Sequence, residues 1–214
     1  MGLVFMLYGC SHSSPFGRVP VSVTPKLVEK VYEERIPLNV GLYITDEFKN
    51  YQFPLSGKTF GLTYDFYNLG SESAGVFEFG LGQMFDKVLL VDEKPPFSKP
   101  KTVIPGVVIE PKIDKFALEM PTLAFQTWIS RIQYSITVYD PSGKAIWTKN
   151  VEGLGDTKGD YRQLLSPPET KEEITQNPSR SATKAVEDGT SKALEAIYSS
   201  QEIRGLLPKE KKQN

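Results

Sequence analysis

The pattern from residue 127 to residue 154 constrains the fold most, because it predicts two long, adjacent strands. Apolar side chains alternate with polar ones in its first half, as in a half-buried strand; they are Trp128, Ile132, Tyr134, Ile136 and Val138. Residues 140–144 have Pro141 early and Gly143 late, which is typical of a hairpin turn. Residues 145–154 then form the return strand. We therefore expect an antiparallel hairpin.

Four further segments have the pattern of strands. They are residues 38–44, 59–66, 87–92 and 107–118. The unbroken apolar centre of 87–92 predicts a strand that is covered on both faces. The apolar positions of 107–118 change phase, which predicts a β-bulge near Asp114 and Lys115.

Two helices are predicted. The first begins at Ser71, a preferred N-cap residue, and carries an apolar stripe to Phe85, although its three glycines require tertiary support. The second follows Asn177 as N-cap and Pro178 at the first helical position, and it has a stripe of small residues suited to close packing. The fold class predicted is α+β, with a mainly antiparallel β-sheet and two helices packed on one face.

The remaining segments connect these elements. Residues 50–58, 93–102 and 155–177 are rich in proline or polar residues and are predicted to be loops. Residues 25–35 fit either a helix or a strand. No internal repeat is evident.

Charge and histidine content argue against several functions. The net charge of −1 provides no basic excess to neutralise phosphates, so we expect no nucleic-acid partner. The only histidine is His12, so the domain has neither the commonest general base nor the commonest metal ligand. We predict no catalytic residues, no metal site and no cofactor.

Cys10 is the single cysteine, and it follows a short apolar run. It cannot form an internal disulfide, and the run is too short for a bilayer, which needs ~20 apolar residues. The sequence Leu7-Tyr8-Gly9-Cys10 resembles the lipobox of bacterial lipoproteins. This resemblance implies that Cys10 is acylated and anchors the protein to a bacterial membrane.

The same resemblance implies a location and a division of the chain. Ser11, directly after the cysteine, fits delivery to the outer membrane, with the domain facing the periplasm. Met1-Gly2 lacks the positive charge of a complete signal peptide, so we interpret residues 1–9 as a signal-peptide remnant. The expected parts are this remnant, an anchor and tether at 10–24, one α+β domain at 25–207 and a polar tail at 208–214.

The order of predicted elements is similar to that of small α+β envelope lipoproteins. Examples are LptE, the YajG-like lipoproteins and the N-terminal domain of TolB. The similarity rests on the lipobox, the size and the order of elements. No functional residues are carried over from it.

Two short motifs have structural explanations. Ser181 and Lys184 match the S-x-x-K spacing of penicillin-binding enzymes, as do Ser98 and Lys101, but the companion motifs are absent. We interpret Ser181 and Lys184 as part of a solvated helix start. The glycines at 153–160 lack the residues of a phosphate or calcium loop, and they predict a loop after a strand.

Carboxylates and tryptophans are further candidates for site residues. Six carboxylates lie on or beside predicted strands; they are Asp46, Glu47, Asp65, Glu110, Asp114 and Glu119. A glycosidase would need two of them facing each other in a cleft, whereas alternation predicts that most face solvent. Trp128 and Trp147 lie on the hairpin strands, where they could approach each other, and core or cross-strand packing is expected in preference to a ligand platform.

The function expected is a non-enzymatic binding or assembly module in the bacterial cell envelope. It would contact another envelope protein through an exposed strand edge or through the loops at 93–102 and 155–177. One alternative is a lipid- or glycan-binding carrier with an apolar pocket. A second alternative is a hydrolase that uses converging carboxylates.

Overall fold

The computed structural model describes residues 18–27, 29–30, 32–56, 63–99, 103–120, 127–157 and 171–207. Within these residues the chain forms eight strands and four helices. The strands are β1 Arg18–Val21, β2 Ile36–Tyr43, β3 Phe53–Ser56, β4 Thr63–Phe66, β5 Phe85–Val91, β6 Val107–Glu119, β7 Ile129–Tyr139 and β8 Ala145–Asp156. The helices are α1 Asp46–Lys49, α2 Leu69–Met84, α3 Lys171–Ser199 and α4 Gln201–Arg204. The α+β class is confirmed.

A five-stranded sheet has the order β5-β2-β6-β7-β8. The hairpin of β7 and β8 is antiparallel, as predicted, and β6 also pairs antiparallel with β7. The register of β6 slips between Ile113 and Lys115, which confirms the β-bulge. Gly143 closes the turn between β7 and β8 with φ of 89°, a conformation that favours glycine.

The sheets are mixed and not purely antiparallel, so the predicted antiparallel arrangement holds only in part. β2 runs parallel to both β5 and β6. Parallel neighbours require a crossover connection, and α2 lies in the one between β2 and β5. The segment from 92 to 106 makes the second return, from β5 to β6, without a helix in its described residues.

A three-stranded sheet has the order β1-β4-β3. It corrects two expectations, because residues 18–21 of the expected tether form β1 and residues 53–56 of the expected loop form β3. Val21 and Val23 are fully buried, so this end of the tether belongs to the core. The pairing of β1 with β4 brings together residues distant in sequence, which local alternation does not reveal.

β5 is also placed differently from the prediction. The apolar run at 87–92 was expected to be covered on both faces, but β5 is an edge strand of the five-stranded sheet. Leu90 is 64% exposed there. An apolar run therefore occurs at an edge that the described part of the chain leaves open.

Both predicted helices exist but begin earlier than expected. α2 begins after Asn68, and not Ser71, because the Asn68 amide is bonded to the backbone nitrogen and oxygen of Val23, both at 2.8 Å. α3 begins at Lys171, so Pro178 lies inside the helix and Asn177 is not its N-cap. The hydroxyl of Ser179 donates to the backbone oxygen of Ser22, a tertiary contact that fixes the helix beside Pro178.

Residues 25–35 form neither of the two expected elements. Where the structure describes them, they have no regular secondary structure, and Val28 and Val31 lie outside the described residues. Polar contacts with residues distant in sequence hold this segment in place. For example, the Arg35 guanidinium donates to the backbone oxygen of Gly82 at 2.7 Å. Together with Thr24, this segment therefore lies against the helices as a strap of residues 24–35.

The small-residue stripe of α3 packs against the hairpin. Its side chains are almost or completely buried; they are Ala182, Ala185, Val186, Ala193 and Ile197. A Cβ at Gly153 of β8 would meet the backbone oxygen of Ala185 and, at 2.5 Å, the nitrogen of Gly189. Gly153 lies in the return strand, as the pattern of 145–154 predicts, and Gly155, which was expected to begin a loop, also lies in β8; both let the helix approach closely.

Tyr134 joins both long helices to the sheet. Its hydroxyl and that of Ser73 on α2 form a hydrogen bond of 2.7 Å. Its ring lies beside Gly189 of α3, and burial raises the pKa of its phenol. These contacts of Tyr134 join each helix to the sheet. The predicted packing of both helices on one face of the sheet stays a prediction.

We expect Gly153→Ala to lower the free energy of unfolding by about 2 kcal/mol or more, because the added methyl overpacks the contact between β8 and α3. Gly75→Ala is the control, since nothing lies within 4 Å of a Cβ there. Alanine in this helix interior should raise the free energy of unfolding by roughly 0.5–1 kcal/mol. Urea denaturation measures both, and equal effects of the two variants would contradict the close approach.

Candidate functional site

The β8 edge of the five-stranded sheet is closed by side chains of α3. The Lys192 and Lys184 ammonium groups donate to the backbone oxygens of Glu152 and Asp156, at 3.0 and 2.7 Å. Between them, the backbone nitrogen of Leu154 donates to the Asp188 carboxylate at 2.8 Å. Four helical residues advance ~6 Å and two strand residues ~6.6 Å, so the side chains match the strand in register.

The other flank of α3 holds the extended strap in the same way. The backbone nitrogen of Thr24 donates to the Thr183 hydroxyl at 3.1 Å, and that of Lys26 donates to the Glu187 carboxylate at 2.8 Å. The helical partners are again four residues apart, and the extended ones two apart. α3 therefore supplies hydrogen bonds to two extended segments, as a neighbouring strand would.

At the β5 edge, the part of the chain that the structure describes provides no such cover. Among the described residues, β5 pairs only with β2. Leu90 is 64% exposed on this strand, and Val103 and Ile104, which follow it in the segment leading to β6, are 38% and 64% exposed. The two edges of the sheet therefore differ: polar side chains of α3 bond the backbone of β8, whereas no described segment pairs with the outer side of β5.

A polar notch opens where β2 stops beside β6. The last pair between these strands is Leu42 with Ile109, and β6 continues without β2 through Pro111, which has no N–H to donate to a neighbouring strand. A cavity of about 390 Å³ lies here. Its lining consists of Tyr43, Thr45, Glu47, Phe48, Tyr51, Lys94, Glu110, Pro111, Lys112, Ile113, Ser135 and Thr137.

Three polar side chains meet at this notch. One oxygen of Glu110 accepts from the Lys94 ammonium at 2.9 Å and from the Tyr139 hydroxyl at 2.7 Å. The hydrogen bond to Glu110 raises the pKa of Lys94, and desolvation raises the pKa of Tyr139. At neutral pH the lysine is thus charged and the tyrosine neutral, so both donate to the carboxylate.

In the structure, both residues of the S-x-x-K match have structural partners. The hydroxyl of Ser181 is buried against that of Ser130 at 2.8 Å, and Lys184 is bonded to the backbone of β8. The expectation of a solvated helix start is wrong for Ser181, which is fully buried against the sheet. Lys101, like Cys10 and His12, lies outside the described residues.

Most of the singled-out carboxylates have separate partners. Asp65 lies 3.8 Å from Arg18, and Glu119 is bonded to Arg131 at 3.1 Å. Asp114 accepts from a serine hydroxyl, and Asp46 and Glu47 lie in the first turn of α1. No group of three potential ligands able to hold a metal ion is found in the described ranges.

The two tryptophans lie at opposite ends of the hairpin and do not pack across it, but both pack against the core, which was one of the two expected roles. Trp147 pairs with Val138 near the turn, whereas the backbone of Trp128 meets Thr157 beyond the other end of β8. Trp128 packs edge-on against Tyr64 of β4, with ring centroids 5.5 Å apart. The pair therefore makes no common ligand platform.

The predicted contact loops are partly described. In the first, Ser98 is bonded through its nitrogen and hydroxyl to Glu93. In the second, residues 155–156 belong to β8 and 171–177 to α3, while 158–170 lie outside the described residues. None of the helices that the structure describes is long and apolar enough to cross a membrane.

Sequence reasoning missed both the α3 contacts with strand edges and the notch. The polar residues that flank the small-residue stripe of α3 at intervals of four were a usable signal for the first. Pro111 within a strand pattern was a usable signal for the second, because proline interrupts strand pairing.

Comparisons with known proteins identify no family. No family model matches the chain, and no curated protein matches it. A Xanthomonas campestris protein described by the family model DUF330 has a similar structure, with a TM-score of 0.48, 6% identity and coverage of 82% of this chain and 94% of that one. A minor lipoprotein from Acinetobacter baumannii has a TM-score of 0.42 and 10% identity, covering 77% of this chain and 93% of that one.

A hypothetical protein from Chlamydia trachomatis has a TM-score of 0.40 and 11% identity, covering 77% of this chain and all of that one (100%). TM-scores and identities this low assign neither a family nor a function.

We expect Asp188→Ala to expose the β8 edge locally, because it removes the acceptor of the Leu154 amide. Hydrogen exchange at this amide should accelerate by about tenfold, with a loss of roughly 1 kcal/mol in the free energy of unfolding. Glu195→Ala, at an exposed position of the same helix, is the control. Unchanged exchange at Leu154 in the first variant would show that the helix does not close this edge.

Proposed function

We propose that the chain is a non-enzymatic lipoprotein of the bacterial cell envelope whose domain binds an extended segment of another envelope protein along β5. The proposal that an extended segment binds along β5 rests on the difference between the two edges of the five-stranded sheet. Acylated Cys10 would hold the domain at the outer membrane, on its periplasmic side.

The chemistry of the β5 edge supports docking of an extended segment. An edge strand offers unpaired N–H and C=O groups that a second strand can bond, and natural proteins normally block such edges. The β8 edge follows this rule, since Asp188, Lys184 and Lys192 bond its backbone. At β5 the exposed Leu90 adds apolar area beside the backbone groups, which favours binding of a strand.

The sequence around Cys10 supports the anchor. Gly9 before the cysteine and Leu7 two residues further upstream fit the lipobox, and Ser11 fits outer-membrane delivery by the same resemblance. A domain held there meets other envelope proteins at high local concentration, which suits a binding module of modest affinity.

The linings of the cavities argue against a carrier of lipid tails in an apolar pocket. A carrier of lipid tails needs an apolar pocket. The notch is lined mostly by polar side chains, and a second cavity beside Trp147 is lined largely by serine, lysine, glutamine and glutamate. Neither of these two cavities in the described part of the chain has the lining that an acyl chain requires.

We expect Leu90→Lys to abolish partner binding while leaving the fold intact. A lysine on an edge strand opposes pairing, and a change at an exposed site should alter the free energy of unfolding by no more than about 0.5 kcal/mol. Crosslinking from the native membrane followed by mass spectrometry should recover a reproducible envelope partner with the wild type and at least about tenfold less with the variant.

Leu154→Lys is the matched control, because Leu154 is an exposed leucine on the covered edge, at 44% exposure. It should recover the partner as the wild type does. Equal recovery with both lysine variants would contradict docking at β5.

We expect metabolic labelling with a fatty-acid analogue to mark the wild type, because the Cys10 thiol would carry the acyl group. Cys10→Ala should lose both the label and its place in the membrane fraction. A wild type that takes up no label, or a variant labelled equally, would disprove the anchor without affecting the β5 experiment.

A further inference from the structure

We propose that the polar notch beside Pro111 binds a neutral saccharide. This inference goes beyond the docking function, because its residues differ from those of the β5 edge. It rests on the cavity of about 390 Å³ and on the chemistry of its lining. This volume is within the range of ~300–1,000 Å³ that is usual for small-molecule sites.

A peptide strand is a poor occupant of the notch. An added strand would lie where β2 would have continued, and it would need alternating donors and acceptors from β6. Pro111 has no N–H, and α1 begins at Asp46, just after β2 ends, with Glu47 and Phe48 in the lining. The chain thus interrupts the backbone ladder that a strand would use.

A charged ligand is also disfavoured, because the charges in the lining balance. Two carboxylates, Glu47 and Glu110, occur with two amines, Lys94 and Lys112. Lys94 and Glu110 are paired directly at 2.9 Å. A lining with no net charge attracts neither anions nor cations strongly, so a neutral polar ligand fits it best.

The donors and acceptors in the notch suit the hydroxyls of a sugar. Both neighbours of Glu110 bond its Oε2, which leaves Oε1 to accept a ligand hydroxyl. The Thr137 hydroxyl can donate and accept. The Ser135 hydroxyl donates to Asp114 and can still accept from a ligand, and the Thr45 hydroxyl accepts from the Phe48 N–H and can still donate to one. The rings of Tyr43 and Tyr51 provide amphipathic surfaces for the C–H face of a sugar.

A glycan array of neutral and charged oligosaccharides, probed with the full chain, tests this inference. Neutral glycans should be retained above charged ones, and the strongest neutral ligand is then titrated by calorimetry. Glu110→Gln should weaken its binding by about tenfold, since a hydrogen bond to a charged group is lost. Thr137→Val is a second variant that keeps the pair of Lys94 and Glu110, and it should weaken binding several-fold.

Glu152→Gln is the control, because this carboxylate is also bonded to a cation on the sheet but lies outside the notch. It should leave glycan binding unchanged. Retention of no neutral glycan, preference for charged ones, or wild-type affinity in both notch variants would overturn the inference. Thr137→Val should still recover the protein partner by crosslinking, which distinguishes failure at the notch from failure at β5.

Discussion

The fold depends on α3 acting as a hydrogen-bonding neighbour for extended backbone. Its small-residue stripe lets it approach the hairpin so closely that Gly153 and Gly155 cannot carry a side chain. From that position its polar side chains bond β8 on one flank and the strap on the other. The cover of the β8 edge therefore depends on the close packing of α3, because the polar side chains of α3 reach β8 only when the helix lies against the hairpin.

This arrangement makes the sheet asymmetric. A long helix can follow one edge strand, and here it follows β8. β5 is connected to the helical layer mainly through α2, which precedes it directly in the chain. The edge that α3 does not reach also carries the more exposed leucine, Leu90 at 64% against 44% for Leu154 on β8, so the proposed docking strand is a consequence of where the helix lies.

The sequence predicted the elements that depend on local pattern. The hairpin, the bulge after Ile113 and the existence of α2 and α3 follow from alternation, phase change and helical spacing. The parallel partners of β2 and the three-stranded sheet were missed, because pairing between distant segments leaves no local pattern. The start of α3 was missed because tertiary contacts near Pro178 outweigh the preference of proline for a first turn.

The site was less predictable than the fold. Glu110 was identified from sequence as one of several acids, but its partners come from the segment after β5 and from β7. The small contact between β2 and β6, which ends at Ile109, was not foreseeable from either strand alone. Pro111 indicated where strand pairing is interrupted in β6, but the cavity also depends on how far β2 extends beside β6.

The brevity of the contact between β2 and β6 has a mechanical consequence. Three residue pairs join these strands, the shortest ladder in the five-stranded sheet, whereas β7 and β8 are joined along their whole length. Within the sheet, tension on a segment bound at the proposed docking strand would pass from β2 to β6 through those three pairs. Under load, the pair of β5 and β2 should separate from β6 while the hairpin remains folded.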